Sequence, residues 1–521
     1  MRQFIQRHQD QMLGVLSGFD RMRFRGTLRL LTSVGGMMGY LSLVGVLIKD
    51  FMGYAEELTK RLRQTTEENA QAASRPVRYL PGATRKDELI EKIRREEGHT
   101  ADGLIAVLST LENCYSYDIY RNRSAQQVQL RRRPRKCLHY YFYFVDHTFG
   151  LTQVRLQTWF PFNVHVVLNG REWLARQLDA VGIGYRRRDN CFVDLEDFAR
   201  AQRLADRQPR IAWPKHLERL LNRVHPLHRE LFAQCPGPYY WTIEQSEWAT
   251  DVAFRSAEAL GDLYAALIHH GIETFQSPDV MRFLGHKVPA HGGVNGRFAG
   301  QVVSDLKHRP EGVRIKHRVG RNTLKMYDKQ GTVLRVETTL NDVRGLKVFR
   351  RRAEKSQGER EWLPLRKGAA DMSRRVQLSH SANRRYLQAL SKLDAHTPLA
   401  RVADKLCQPA WDKRGRRHRA LNPLAPEDAQ LLEAVSRGEF HISGFRNRDV
   451  RQVLFGEAAT DVQRRRQASR VTRKLALLRA HGLIRKVPQS HRYLLTAAGQ
   501  TAIPALLATR KATLDQLTPA A

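Results

Sequence analysis

The chain has 521 residues, which is enough for about three domains of ordinary size. Its 88 Lys and Arg against 52 Asp and Glu leave a formal net charge of +36, which favours a polyanion such as DNA or RNA as partner, although a GC-rich genome also raises arginine content. A hydrophobic content of 42% excludes a disordered polycation, and five scattered cysteines without a Cys-x-x-Cys pair exclude a disulfide framework or a zinc ribbon.

The first 25 residues are charged throughout, so we expect no cleavable signal peptide and, with the scattered cysteines, a cytoplasmic protein. The uncharged residues 30–48 approach the length of a membrane span. Glycine, serine and threonine weaken this stretch as a single helix, so we predict a turn at Gly35 and Gly36, a buried helix and no membrane partner. A membrane span is the alternative.

Residues 1–120 show the alternation of strands and helices that is typical of an α/β domain. β-type runs on either side of Gly18, Phe19 and Asp20 predict a hairpin within residues 12–31. A strand over 76–80, a helix over 86–97 and a buried strand over 103–111 are predicted to follow.

Residues 121–210 are predicted to continue this sheet as a β-rich domain. They begin with a basic connection over 121–136 that contains Arg131, Arg132 and Arg133, either a solvated loop or a phosphate contact. Strands are predicted over 137–145, 151–160 and 164–168.

Residues 211–349 are predicted to form a helical region plus a β-hairpin. Residues 350–425 are polar and basic with little sustained periodicity except near 382–393, which predicts a linker lying along a polyanion. The whole chain is thus expected to be an α+β multidomain protein: an N-terminal α/β region, a central mixed helical and β region, and a C-terminal domain over 426–521.

That C-terminal domain has the pattern of a winged helix-turn-helix. Two short helices precede a basic helix in which Val471, Leu475 and Leu478 recur at helical spacing. Gly482 then ends the helix, and two short strands flank a basic tip over 485–492. Helix, helix, basic helix and hairpin is the winged-helix order.

The stretch LLRAHGLIRKVPQSHRYLLTAAG resembles the winged-helix domains of bacterial transcription regulators. The resemblance implies nucleic-acid binding by the basic helix and the tip. A small helical interaction domain with a solvated basic face is the alternative. The residues expected to contact nucleic acid are Arg464, Arg465, Arg466, Arg470, Arg473, Lys474, Lys486 and Arg492, together with Arg131, Arg132 and Arg133.

A set of acids is the first candidate for catalysis. Asp20 lies in the predicted hairpin and Glu112 follows the buried strand, while Glu244, Glu247 and Asp251 have the spacing of one helix face. Converging carboxylates hold the Mg²⁺ ions with which nucleases activate water. The arrangement is similar to RNase H-like nucleases and transposases. The alternative is a solvated acidic helix face plus a loop glutamate. The predicted metal ligands are Asp20, Glu112 and Asp251, and the predicted catalytic acids include Glu247.

The hairpin over 323–340 is the second candidate. Its Lys-x-Tyr-Asp-Lys and Arg-x-Glu-x-Thr-Leu runs resemble a strand pair of rolling-circle replication initiators. The resemblance implies that Tyr327 attacks DNA and that Glu337 serves the same site. The metal-binding His-hydrophobe-His motif of that family is missing, and the nearest candidate is the single His165. A cross-strand charge pair on a solvated sheet face is the alternative.

Taken together, the sequence predicts a DNA-processing protein of a mobile element or replicon, of transposase, nuclease or replication-initiator type, with Mg²⁺ as cofactor. The size of the region before residue 350 favours this interpretation. The alternative is a non-enzymatic DNA- or RNA-binding protein, either a transcription regulator or a ribonucleoprotein component. A homodimer is compatible with both.

Overall fold

The computed structural model describes all residues except 83, 97, 99–101, 125, 236, 289–300, 310–311, 352–359, 392–398, 413–414, 438–439, 441–443, 488–489 and 512–521. The chain divides into two compact units. The N-terminal unit comprises Gly14–Ala253 and Glu337–His380, and the C-terminal unit comprises Met1–Leu13, Phe254–Val336 and Ser381–Ala521.

The α-helices of the described residues follow one another in this chain order: α1 Arg2–His8, α2 Val34–Leu43, α3 Phe51–Ala72, α4 Lys86–Glu96, α5 Gly170–Ala180, α6 Phe198–Ala205, α7 Trp213–Val224, α8 His228–Leu231, α9 Ala257–Glu273, α10 Ser277–Phe283, α11 Met372–Leu390, α12 Leu399–Leu406, α13 Pro426–Ser436, α14 Asn447–Phe455, α15 Asp461–Ala480 and α16 Ala497–Lys511.

The strands, in the same order, are β1 Met12–Thr27, β2 Val77–Tyr79, β3 Gly103–Asn122, β4 Gln127–Asp146, β5 Gly150–Gln157, β6 Val164–Asn169, β7 Tyr185–Arg188, β8 Cys191–Leu195, β9 Tyr240–Phe254, β10 Val302–Arg309, β11 Gly312–Val319, β12 Asn322–Lys329, β13 Val333–Leu340, β14 Lys347–Arg350, β15 Glu361–Pro364, β16 Ala410–Trp411, β17 Arg417–His418, β18 Phe445–Arg446, β19 Ile484–Lys486 and β20 Arg492–Leu495.

Both units contain mixed α and β structure, as the sequence pattern predicts. In the N-terminal unit the strand order is β9-β1-β6-β5-β4-β3-β2, with the end of β13 beside β9. The pairs from β1 through β6, β5 and β4 to β3 are antiparallel, and β2 pairs with β3 in parallel. One cross-strand row on the core face consists of Phe24, Val166, Val154, Phe142 and Val107. Because successive residues of a strand face opposite sides, the next row lies on the other face of the sheet.

The predicted hairpin within residues 12–31 is wrong, because β1 is one strand of 16 residues that passes straight through Gly18 and Asp20. Its glycines allow close packing instead of a turn. A Cβ atom at Gly14 would lie 2.3 Å from the ring of Phe198, and one at Gly18 would lie 3.3 Å from the amide oxygen of Gln208. In this strand glycine marks the approach of a covering helix.

The predicted acidic helix over residues 241–254 is also wrong, because this segment is the strand β9. Its β-branched and aromatic residues outweigh the helical spacing of its acids. In an extended strand these acids are not stacked on successive turns, as they would be in a helix. The three acids therefore cannot form one helix face.

The predicted basic connection over 121–136 belongs mostly to the paired strands β3 and β4. Asp118 compensates part of the positive charge of the arginines in this β3–β4 hairpin. It lies opposite Arg131 in the register, and its carboxylate is 3.5 Å from the guanidinium of Arg131 and 2.6 Å from that of Arg133. Cross-strand pairs of opposite charge stabilise such a ladder.

The predicted linker over 350–425 contains folded structure, most clearly the helix α11. In the N-terminal unit, Arg375 of this helix is 1% exposed and donates a hydrogen bond to the carbonyl of Ile243 at 2.9 Å. In the C-terminal unit, Tyr386 is fully buried and its hydroxyl lies 3.0 Å from Nε2 of His317. The buried face of α11 contains polar and aromatic groups, so the sequence shows its periodicity only in the part near 382–393.

The end of the C-terminal unit is built in the order α13, β18, α14, α15, β19, β20 and α16. The strands form an antiparallel sheet in the order β18-β20-β19. The buried side chains of α15 include Val471, Leu475 and Leu478, as the spacing predicts. They join one core with residues of α13 and α16, and this core extends back to Leu406 and Leu421.

Within the described residues, no single helix has both the length and the apolar content that a membrane crossing requires. In the part of the chain that the structure describes, one pair of helices, Val34–Leu43 and Ile48–Ala72, meets those two criteria together, and it is bent by 97°. The predicted turn at Gly35 and Gly36 is wrong, because α2 begins at the N-cap Ser33 and both glycines lie in the first turn of this helix.

Candidate functional site

Three carboxylates from separate parts of the sequence meet in the N-terminal unit. Asp20 of β1, Glu247 of β9 and Glu337 of β13 each offer one oxygen, and these oxygens all lie within 4.8 Å of one another. The strand order β13-β9-β1 explains the meeting, because each acid lies on the strand next to that of another. We call these three residues the acidic triad.

Two members of the acidic triad are buried, and Glu247 is half-buried. Asp20 is 6% exposed and Glu337 is 2% exposed. The amide of Asn190, in the turn between β7 and β8, donates a hydrogen bond to Asp20. Buried carboxylates at this separation repel one another unless a cation or a proton lies between them.

The geometry of the acidic triad fits a hard divalent cation. Oxygens that each lie about 2.0–2.6 Å from one ion are at most about 5 Å apart. All three groups are carboxylates, the ligand type that suits Mg²⁺, Mn²⁺ and Ca²⁺. Asp20, Glu247 and Glu337 are therefore the residues of this unit that would hold the predicted Mg²⁺.

A cavity of about 770 Å³ lies on the sheet face opposite the core, and Asp20 lines it. Arg21 and Arg23 of β1 line the same cavity, and both are exposed. Lys86 and Arg155 add two more cations to its lining. The cavity therefore offers a cationic surface next to one member of the acidic triad.

One cross-strand row on this face consists of Arg25, His165, Arg155 and Tyr141. Nδ1 of His165 lies 3.0 Å from the carboxylate of Glu244, and Arg25 lies 4.0 Å from the same group. Burial alone would raise the pKa of Glu244, but the hydrogen bond to His165 and the nearby arginines lower it on balance. Glu244 is thus an anion that fixes the orientation of the His165 ring.

Glu112, a predicted metal ligand, is bound elsewhere. It accepts a hydrogen bond from the Tyr141 hydroxyl and lies 2.6 Å from Arg155 and 3.6 Å from Lys86. Burial alone would raise its pKa, but Tyr141 and these cations lower it on balance. Glu112 therefore orients two cations of the cavity and is not part of the acidic triad.

Asp251 is another predicted metal ligand that is not part of the acidic triad, and it contacts a buried arginine. Its carboxylate lies 2.9 Å from a terminal nitrogen of Arg171, and the two side chains are 2% and 0% exposed. An ion pair this deeply buried compensates the charge of each partner. Asp251 is therefore expected to stabilise the fold and not to bind metal.

The predicted hairpin site is divided between the two units. Tyr327 lies on β12 in the C-terminal unit and is 8% exposed. Glu337 belongs to the N-terminal unit, where it joins the acidic triad, and His165 pairs with Glu244. The described contacts thus associate Glu337 with Asp20 and Glu247, and His165 with Glu244.

The predicted nucleic-acid contacts of α15 are mostly on its surface. The exposed members are Arg464, Arg465, Arg466, Arg470 and Arg473. Lys474 is half-buried, 3.8 Å from Glu427. Lys486 is exposed on β19, and Arg492 is half-buried on β20. Residues 488–489 of the predicted basic tip lie outside the described residues.

Arg131, Arg132 and Arg133 face different environments. Arg131 and Arg133 contact Asp118, whereas Arg132 donates a hydrogen bond to the carbonyl of Thr32 at 3.1 Å. All three remain exposed to solvent.

Sequence reasoning missed the polar sheet face. Its signal lies in the run Arg-Met-Arg-Phe-Arg over 21–25, where cations and apolar residues alternate with the period of a strand. Reading that run as half of a hairpin hides the single face on which Arg21, Arg23 and Arg25 lie. The role of Glu244 beside His165 has no comparable signal.

The sequence matches no protein-family model and no curated protein. Among solved structures, the crystal structure of the di-domain ARO/CYC BexL from the BE-7585A biosynthetic pathway aligns with 54% of this chain and 88% of its own chain. The sequence identity is 12% and the TM-score is 0.16, a similarity too low to carry an argument about fold or function.

Proposed function

We propose that this protein is a metal-dependent DNA-processing enzyme of a mobile element or replicon, of the nuclease, transposase or replication-initiator kind. The observation that carries this proposal is the acidic triad, whose oxygens lie within 4.8 Å of one another and whose Asp20 lines a cavity rich in arginine. The net charge of +36 agrees with a phosphate-rich substrate.

In phosphodiester cleavage, the residues around the cavity would have three separate roles. A divalent cation held by the acidic triad would supply activated water and stabilise the leaving oxygen. Arg21, Arg23 and Arg25 would neutralise the phosphates that approach along β1. His165, oriented through Nδ1 by Glu244, would exchange a proton with the substrate at Nε2.

We further propose that the end of the C-terminal unit is a winged helix that selects the DNA site. The order of helices and strands from α13 to α16, and the three-stranded antiparallel sheet, support this assignment. The exposed arginines of α15 would then enter the major groove, and β19 and β20 would form the wing.

Cleavage assays on labelled duplex, single-stranded and hairpin DNA, and on the matching RNAs, test the enzymatic proposal. We expect cleavage or strand transfer that requires Mg²⁺ or Mn²⁺. Asp20→Asn, Glu247→Gln and Glu337→Gln should each reduce the rate at least about a hundredfold. The control Glu68→Gln changes an exposed acid of α3 and should leave the rate unchanged.

A wild-type protein that binds nucleic acid but cleaves none of these substrates would support the non-enzymatic alternative. Duplex binding is tested separately by fluorescence anisotropy at several salt concentrations. We expect log affinity to fall steeply with log salt, and the combined replacement of Arg465, Arg466 and Arg473 by Ala to weaken binding at least about tenfold. Affinity that does not change with salt would contradict the proposed winged helix.

A further inference from the structure

A small hairpin in the N-terminal unit presents two aromatic rings to solvent. Phe349 of β14 and Trp362 of β15 lie opposite each other in the register, and each is 55% exposed. Their ring centroids are 5.6 Å apart. The opposite face packs inward through Val348, which is 5% exposed, so the hairpin is anchored while its rings stay outside.

The same outward face is cationic. Lys347 precedes Phe349 by two residues, so it lies on the same face of the strand. Arg351 directly follows β14 and Arg360 directly precedes β15, and each is two residues along the chain from one of the rings. All three cations are exposed. Glu361 has the opposite parity and lies opposite Arg350, so it does not share this face.

We propose that this outward face is a stacking platform for single-stranded nucleic acid. Unpaired bases would stack on Trp362 and Phe349, while Lys347, Arg351 and Arg360 would contact the backbone phosphates. Single-strand-binding surfaces combine aromatic rings with surrounding cations in this way, because every base has a π face and every nucleotide a charge. The platform rests on the proposed function only in taking nucleic acid as the partner.

The charge pattern favours this occupant over an apolar protein surface. Protein interfaces bury an apolar core surrounded by a rim of mixed polarity. Here an exposed cation lies two residues along the chain from each ring, so an apolar partner that covers the hairpin would have to desolvate charge. A base stacked on Trp362 leaves the cations in contact with phosphate and water. Duplex DNA has its bases paired and stacked internally, so it is not the expected ligand.

The test uses the full-length protein and a labelled oligothymidylate, and fluorescence anisotropy measures the binding affinity. A second oligonucleotide with 5-iodouracil in place of one thymine is used for photocrosslinking. Trp362→Leu retains apolar area but removes the stacking face, whereas Trp362→Phe keeps an aromatic ring. We expect Trp362→Leu to bind single-stranded DNA at least about fivefold more weakly than wild type, and Trp362→Phe to retain most of the wild-type affinity. The control Tyr79→Leu removes another aromatic side chain, which is 54% exposed on β2, and should leave the single-strand affinity unchanged.

Crosslinks should map to the hairpin that holds Trp362 and Phe349. Equal single-strand affinity of Trp362→Leu and wild type would overturn the platform, as would crosslinks confined to other segments. Duplex binding that persists in Trp362→Leu, while single-strand binding falls, would support the platform and leave the winged-helix proposal intact. Wild type that binds duplex but no single strand would remove the platform alone. Wild type that binds neither would remove both.

Discussion

Arg171 and Asp251 form an ion pair with an N···O distance of 2.9 Å in the interior of the N-terminal unit, where neither side chain is more than 2% exposed. This pairing gives the Asp251 carboxylate a guanidinium partner, although the spacing of the acids in the sequence predicts it to be a metal ligand. It also gives the residue a measurable structural role.

We expect Asp251→Ala to lower the free energy of unfolding by about 3–5 kcal/mol, because it leaves the Arg171 guanidinium buried without its compensating charge. Replacing both residues together, as Arg171→Met with Asp251→Leu, should recover most of that loss. Urea denaturation followed by circular dichroism measures both. The exposed pair of Arg61 and Glu230 is the matched control, and Glu230→Ala should cost no more than about 1 kcal/mol. If Asp251→Ala has normal stability but lacks metal-dependent activity, this structural role is wrong and Asp251 is a metal ligand after all.

Metal binding at the acidic triad should stabilise the fold even without substrate. A ligand present at about one hundred times its dissociation constant adds roughly 2.7 kcal/mol to the free energy of unfolding. We expect Mg²⁺ or Mn²⁺ to raise the melting temperature of wild type and of Glu68→Gln, but not of Glu337→Gln. A shift of the same size in Glu337→Gln would place the metal elsewhere.

The pair of Arg419 and Asp428 predicts a pH dependence in the C-terminal unit. Two guanidinium nitrogens donate to the buried carboxylate at 2.7 and 2.6 Å, and the backbone N–H of Asn422 donates at 2.9 Å. Burial alone would raise the pKa of Asp428, but these hydrogen bonds lower it on balance. Since the folded pKa lies below the unfolded value of about 3.9, the stabilisation is complete above that value and is lost as the pH falls further.

Asp428→Asn should therefore destabilise the protein at pH 7 by about 1.5–3 kcal/mol, the usual contribution of hydrogen bonds to a charged group. The difference between the variant and wild type should shrink as the pH falls below about 3.9. Urea midpoints of the C-terminal unit at several pH values measure this. A difference that stays constant down to about pH 2 would contradict an ionised Asp428 in the folded state.

The boundary of the C-terminal fold lies earlier than the sequence suggests. Leu406 and Leu421 are 4% and 1% exposed within its core, and the N–H of Leu421 bonds to the carbonyl of Leu406 at 3.0 Å. A fragment that begins at Asn422 loses both side chains and Arg419. We expect it to be less stable, by about 3 kcal/mol or more, than one that begins at Leu399, because each buried leucine contributes about 1.5–3 kcal/mol. Equal thermal denaturation midpoints for the two fragments would refute this boundary.

Periodicity in the sequence predicts one of these elements correctly and another one wrongly. The spacing of Val471, Leu475 and Leu478 predicts a helix and its buried face correctly, because consecutive turns of one helix are a local property. The spacing of Glu244, Glu247 and Asp251 fits a helix equally well, yet their neighbours are β-formers that pair with distant strands. Local spacing alone could not decide between these outcomes.

The acidic triad depends on information that no local pattern contains. The sequence patterns group Asp20 and Glu247 in one predicted site and assign Glu337 to a different one. Only the strand order β13-β9-β1 brings the three together, and strand order is a long-range property of the fold. The polar face of β1 is accessible in principle, since its alternation is local.

That strand order also sets a sequence of events during synthesis. Strand β1 can pair with β6 once residue 169 has left the ribosome, but its other neighbour, β9, ends at residue 254. Glu337 is made later still. Since domains fold as their segments emerge, the cationic sheet face can form well before the acidic triad. A nascent or truncated chain would therefore be able to hold phosphate before all three carboxylates of the acidic triad are present.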